Sequence, residues 1–176
     1  MRAARALTAA CARHRTAFPP AVCQTLSNTV APIPVKLRAV VEPARQQLID
    51  TVAWVLIENG RILCARPRGK DVFFIPGGKR EGAETDLQTL VREVAEELTV
   101  ELTPDSAVHV GTYEAAVADG HDTVVRMACY TADYRGVLTA SSEIEALAWF
   151  GFGDRDLVPP VDQLLFDDLA AAGSLR

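Results

Sequence analysis

Glu93, Glu96 and Glu97 stand at i, i+3 and i+4 of one stretch, "DLQTLVREVAEEL". At about 100° per residue these offsets place all three carboxylates on one arc of a helix. Like charges so placed cost about a few tenths of a kcal/mol per pair on an exposed helix. A solvated acidic face normally carries basic partners. Here Arg92 is the only basic residue of the stretch, and it reaches Glu96 at i+4. A hard divalent cation reverses the repulsion. Mg²⁺ takes carboxylate oxygens and water and completes its shell with phosphate oxygens.

The segment before the helix supplies the complementary chemistry. "ARPRGKDVFFIPGGKREG" sets Arg66, Arg68, Lys70, Lys79 and Arg80 around Gly77 and Gly78. Glycines let the backbone approach a ligand closely, and the basic side chains offset phosphate charge. Gly77, Gly78, Arg66, Lys79 and Arg80 are therefore candidate contacts for a phosphorylated small molecule.

These residues must be positioned by ordered elements. Thr85 followed by Gln88 has the form of a capping box, so the helix is expected to start there. Leu87, Leu90, Val91, Val94 and Leu98 form its aliphatic stripe, roughly 130° from the carboxylate arc by the same arithmetic. Asn59-Gly60 links the apolar runs of "TVAWVLIENGRILCARP", a hairpin signal because a type I′ turn needs positive φ twice. Asp119-Gly120 links "HVGTYEAAVA" to "HDTVVRMACYTADY" in the same way. "EALAWF" reads as a further strand. "PPVDQLLFDDLAAAG" reads as a closing helix between Pro159-Pro160 and Gly173.

At this point the chain resembles the Nudix hydrolase superfamily, in its MutT-like branch. The pattern G-x5-E-x7-R-E-U-x-E-E-x-G-U, with U aliphatic, is matched by Gly78, Glu84, Arg92, Glu93, Val94, Glu96, Glu97 and Val100. The resemblance implies an α/β fold of the α+β kind, an α/β/α sandwich with a mixed sheet between helices. It implies hydrolysis of a nucleoside diphosphate derivative dependent on Mg²⁺ or Mn²⁺, with a nucleoside triphosphate or its oxidised form first. Nucleotide sugars, dinucleoside polyphosphates and a non-catalytic nucleotide-sensing role stand as alternatives. Carried over by position, Glu93, Glu96 and Glu97 are metal ligands, with the Gly78 carbonyl as a further donor. Glu93, oriented by Arg92, is a further ligand or the base that activates water, and Glu84 is an outer contributor. A late carboxylate often joins such a site, and Glu143 and Glu145 are both in position to supply it. The isomerase of isopentenyl diphosphate shares the fold, but Cys64 followed by "ARPRG" lacks the setting its catalytic cysteine needs.

One position departs from the pattern: Thr99 stands where the box has its late glycine. A β-branched residue is poor in the left-handed conformation such a glycine adopts. Thr99 is therefore expected to leave the helix in an extended conformation or through a different turn.

The rest of the chain bounds the answer. Its 176 residues suit one full domain. Residues 1–45 are expected to be a poorly ordered extension, Ala- and Arg-rich, that is either transit-like or unconstrained, and 46–176 the hydrolase domain. Residues 1–41 carry six basic and no acidic side chains, which leaves the remainder with a net charge of −11. An acidic body argues against a nucleic-acid polymer as partner. No apolar run is long enough to span a bilayer. The four cysteines show no metal-binding spacing and suit a reducing, cytoplasmic setting, with organelle targeting by the tail and a homodimer both left open. Phe73 and Phe74 should point to opposite faces, with the outward one available to stack on a base. Arg126 reads as the solvent-facing residue of an alternating strand rather than a phosphate contact, and His109 and His121 as strand-start residues.

Overall fold

The computed structural model describes residues 46–117 and 122–176. The N-terminal extension, the Asp119-Gly120 turn and His121 lie outside the described residues. In chain order the elements are β1 Gln47–Trp54, β2 Ile57–Glu58, β3 Arg61–Pro67, β4 Gly77–Lys79, α1 Asp86–Leu98, β5 Glu101–Leu102, β6 Val108–Ala116, β7 Thr123–Thr131, β8 Tyr134–Arg135, β9 Ile144–Phe150 and α2 Pro160–Ala171. None of the described helices is long and apolar enough to cross a membrane.

One sheet runs β4-β1-β7-β6, a second β2-β3-β9, and a short third pairs β5 with β8. β1 lies parallel to β7 and antiparallel to β4, so the first sheet is mixed. Strict alternation then sorts the strand residues between two cores. Val52 and Trp54 of β1 and Leu63 of β3 join Leu90, Val94 and Leu98 of α1. Ala53, Ile62 and Cys64 face the other way, onto Val161, Leu165, Phe166 and Leu169 of α2. This is the expected α/β/α sandwich. A strand buried on both faces must be apolar throughout, which is why "VAWV" shows no polar alternation.

The first apolar run does not form one hairpin arm, as its composition suggested. It divides at Val55-Leu56. Val55 N–H donates to the Tyr130 carbonyl at 2.8 Å and ends β1 in the first sheet, and the Leu56 carbonyl accepts from Leu63 N–H at 2.9 Å and begins the second. The Asn59-Gly60 turn itself is as expected, with φ of 53° and 74°. Trp54 is fully buried and its indole N–H donates to the Ala132 carbonyl. Cys64 and Cys129 are buried free thiols, their pKa pushed up chiefly by burial.

α1 starts with the capping box: Thr85 Oγ1 accepts from Gln88 N–H at 3.3 Å, and Gln88 Oε1 accepts from Thr85 N–H at 2.8 Å. Leu90, Val94 and Leu98 are buried, whereas Leu87 is at the exposed margin of the stripe. The end of α1 corrects the expectation for Thr99, which is left-handed at φ 59°, ψ 21°. Four contacts hold this end of the helix. Thr99 N–H closes onto the Ala95 carbonyl, and its hydroxyl lies 3.4 Å from the Val137 carbonyl. The Leu98 and Glu97 carbonyls, left without helical donors, accept from Thr139 and Ser141 N–H at 3.0 and 2.9 Å.

Candidate active site

β4 is the edge strand of the first sheet and carries the two glycines. Its register on β1 pairs Ala53 with Gly77 and Val52 with Gly78. Gly77 has φ 144°, and a Cβ there would lie 2.1 Å from the Val52 carbonyl oxygen, so no side chain fits. At Gly78 the absent side chain makes room for something else. A Cβ would lie 2.2 Å from Glu93 Oε1, because the Glu93 carboxylate rests directly against this backbone.

Glu97 reaches the same turn from α1. Its Oε2 accepts from Gly77 N–H at 3.0 Å, and the residue is only 7% exposed. Burial pushes its pKa up to about 8, against the pull of the Gly77 N–H, with Glu93, Glu143 and Glu96 adding to the rise. Among the described residues Glu97 has no ion-pair partner. Glu93 is pushed the same way, first by burial, with Arg92 opposing. Glu96 points outward, its side chain 56% exposed and 3.8 Å from Arg92.

Arg92 is the organiser of the cluster. Its Nε and Nη2 donate to the two oxygens of Glu84, each at 2.8 Å, and its Nη1 donates to Glu93 at 2.9 Å. Nη2 also lies 3.2 Å from the Lys79 carbonyl, tying α1 to β4. The guanidinium holds Glu84 down at about 2.

The structure places Glu143 and Glu145 differently. Glu143 lines the cavity described below and adds to the electrostatic field at Glu93 and Glu97. Arg68 N–H donates to the Glu143 carbonyl at 2.8 Å, and two residues before Glu143 the Ser141 N–H donates to the Glu97 carbonyl at 2.9 Å. Glu145 faces outward on β9 and sits 3.8 Å from Arg66.

The basic segment divides likewise. Lys70 and Lys79 line the cavity. Arg80 is committed to Asp50, at 2.8 Å, and to Asp86, which also accepts from the Tyr130 hydroxyl at 2.7 Å. It clips the first turn of α1 to the sheet. Arg66 stacks over the Phe73 ring, 5.6 Å from its centroid. Arg126 is exposed and paired with Glu114. Phe73 packs inward on Phe150, and Phe74 is the outward ring, as alternation required.

Gly77, Gly78, Lys79, Glu97 and Glu143 form one part of the lining of a cavity of about 740 Å³. Phe74, Val125, Met127 and Val161 supply apolar wall, together with a carboxyl that sequence reasoning did not single out, Asp162. Asp162 is 2% exposed and accepts from Ile75 N–H at 3.1 Å; burial raises its pKa from 3.8 to about 7. In the sequence it looks like an ordinary acid in the first helical turn, where dipole and cap favour Asp. Only the tertiary placement reveals it.

The donor set suits a hard divalent cation: carboxylate and carbonyl oxygens, one of them buried and without a basic partner. Among the described residues no three acidic, thiol or imidazole groups already converge on one point at metal-binding distances. Mg²⁺ keeps several waters and takes substrate oxygens, so one or two carboxylates beside a polyphosphate suffice.

Comparison with known proteins bears on the family and the fold. The NUDIX domain family profile matches residues 48–166. The CTP pyrophosphohydrolase of Escherichia coli (strain K12) is 35% identical over 109 residues, covering 58% of this chain and 76% of that one. The solution structure of the E. coli ORF135 protein superposes with a TM-score of 0.58 at 30% identity, over 72% of this chain and 94% of that one. The crystal structure of a MutT NUDIX hydrolase from Burkholderia pseudomallei gives 0.52 at 24% identity, over 64% and 88%, and shows likeness of fold.

Proposed function

The chain belongs to the NUDIX domain family, and from that premise we propose that this pyrophosphohydrolase cleaves a nucleoside triphosphate to the monophosphate and pyrophosphate, with Mg²⁺ as its ion and Mn²⁺ as a substitute. The observation that carries the reading is the cavity. Glu97 and Glu143 line it beside the double-glycine turn, and a buried carboxyl, Asp162, lines it among apolar side chains. A nucleotide has the same two characters, a polyanion and a flat, mostly apolar base with a few polar edges.

The chain's own groups divide the work. Glu97, with Glu93, Glu96, Glu143 and the Gly78 carbonyl, would hold the cation, which when bound neutralises phosphate charge and acidifies water. Glu93 is the base. Its carboxylate is fixed on one side by Arg92 and on the other by the bare Gly78 backbone. It takes the proton of the water that attacks phosphorus, and pyrophosphate leaves. Burial raises its proton affinity, which favours it as a proton acceptor. Lys70 and Lys79 offset the remaining phosphate charge. Phe74 offers a ring face to the base. Asp162 accepts from an exocyclic amino group, so bases that carry one are favoured over uracil and thymine. The similarity to a CTP pyrophosphohydrolase points the same way.

The test is a panel of ribo- and deoxynucleoside triphosphates, their oxidised forms, nucleotide sugars and dinucleoside polyphosphates, each with Mg²⁺ or Mn²⁺. Cytidine triphosphates should lead, with pyrophosphate as co-product, and Glu97→Gln should lower turnover by about 10³ without unfolding the chain. A nucleotide sugar as best substrate, or orthophosphate as the product from triphosphates, would refute the assignment.

A further inference from the structure

Thr89 is the fourth residue of α1, in its first turn and outside the fixed positions of the box, and is fully buried. A threonine inside a helix usually turns its hydroxyl back to the carbonyl four residues earlier. Here it does not. Thr89 Oγ1 lies 2.9 Å from Glu84 Oε2. Glu84 precedes the helix cap, and its carboxylate has no proton to give to a threonine it faces alongside an arginine, so the hydroxyl is the donor.

That bond completes the coordination of Glu84. Oε2 accepts from Thr89 at 2.9 Å, from Glu81 N–H at 3.0 Å and from Arg92 Nη2 at 2.8 Å, while Oε1 accepts from Arg92 Nε at 2.8 Å. Thr89 from the helix and the Glu81 amide from the loop both hold Oε2, and the carboxylate so anchored receives the guanidinium fork. The remaining nitrogen of Arg92, Nη1, is then aimed at Glu93. A fork held in two parallel bonds has little freedom to swing. The direction in which Nη1 points is set by the plane of Glu84.

We infer that Thr89 is a positioning residue for the hydrolytic reaction: its hydroxyl sets the plane of Glu84, through it the guanidinium of Arg92, and through that the carboxylate of Glu93 against Gly78. The inference rests on the reading of Glu93 as the base. Thr89 touches neither substrate nor ion. Its effect should fall on the chemical step and leave nucleotide binding untouched.

The variants are Thr89→Val, which keeps the shape and removes the donor, and Thr89→Ser, which keeps the donor and removes a buried methyl. Losing a hydrogen bond to a charged group predicts a fall in kcat of about tenfold for Thr89→Val, with KM changed by less than about twofold. Thr89→Ser should hold kcat within about twofold of the parent, although it is the variant that leaves a void. A merely structural threonine gives the opposite order, since the methyl then matters more than the hydroxyl. The second readout is the Arg92 Nε–H resonance of the ¹⁵N-labelled chain. It should be resolved and slowly exchanging in the parent and in Thr89→Ser, and broadened or lost in Thr89→Val. Equal kcat for parent and Thr89→Val overturns the inference, as does an equal loss in both variants. If Thr89→Val does not fold, Thr89→Ala is compared with Thr89→Ser on the same two readouts. A parent chain that hydrolyses no nucleotide sinks the functional reading, whereas an Arg92 resonance indifferent to the Thr89 hydroxyl sinks this inference by itself.

Discussion

Replacing Asp162 by asparagine should make the protein more stable, and by an amount that grows with pH. The side chain is almost wholly buried, and its Oδ1 takes the Ile75 N–H at 3.1 Å. Burial outweighs that bond and the bond from its own backbone N–H, and lifts the pKa from 3.8 to about 7. Below 3.8 both the folded and the unfolded chain hold the proton. Between 3.8 and about 7 the folded chain keeps a proton that the unfolded chain has released, so stability falls as pH rises through this window. Above about 7 both forms are ionised and the folded state carries the whole cost of the buried charge. At about 1.4 kcal/mol per tenfold change in proton affinity, the interval is worth about 4 kcal/mol. Asparagine offers the same carbonyl oxygen to Ile75 and has no charge to bury. Urea unfolding of parent and variant from pH 4 to 8.5 should therefore give a stability difference near zero at the acid end and about 4 kcal/mol in favour of the variant at pH 8. Glu97, whose pKa is also raised, tilts both curves alike and drops out of the difference. A difference that does not change with pH, or a variant less stable than the parent at pH 8, would show that the charge is better solvated than its burial implies.

Three other outcomes follow from the same geometry. Gly78→Ala would put a methyl 2.2 Å from Glu93 Oε1; the side chain can swing aside at little cost to folding, so turnover should fall about 100-fold while the unfolding midpoint moves little. Thr99→Gly should raise stability by about 0.5–1 kcal/mol in thermal or urea unfolding, because glycine has no penalty in the left-handed conformation, and a loss would mean that the hydroxyl contact to Val137 outweighs it. A chelator should abolish turnover yet leave the far-ultraviolet dichroism unchanged, since the cores on both sides of the sheet are aliphatic and aromatic.

What the sequence disclosed and what it hid divide along a physical line. Thr85 with Gln88, Asn59 with Gly60 and Pro159 with Gly173 are local devices, each set by a few adjacent residues, and each was readable. The acidic arc of α1 was readable because helical period alone determines it. Three features depended on distant partners. The division of the run from Val52 to Ile57 between two sheets is imposed by Tyr130 and Leu63, which no local rule names. Arg80 looks like a phosphate contact until Asp50 and Asp86, 30 residues before and 6 after it, are brought to it. Asp162 looks like helix-dipole chemistry until the fold closes Ile75 over it. Thr99 is the instructive failure. Its intrinsic preference was read correctly, and tertiary hydrogen bonds from the 137–141 segment overrode it.

That segment has no regular secondary structure, yet its amides at Thr139 and Ser141 are anchored on the carbonyl ends of α1. In deuterium labelling these two amides should exchange as slowly as the interior of the helix, not at the pace of a surface loop. Loops ordinarily accept extra residues; this one should not, because a single insertion would let Glu97 and Glu143, now carried on one rigid body, drift apart.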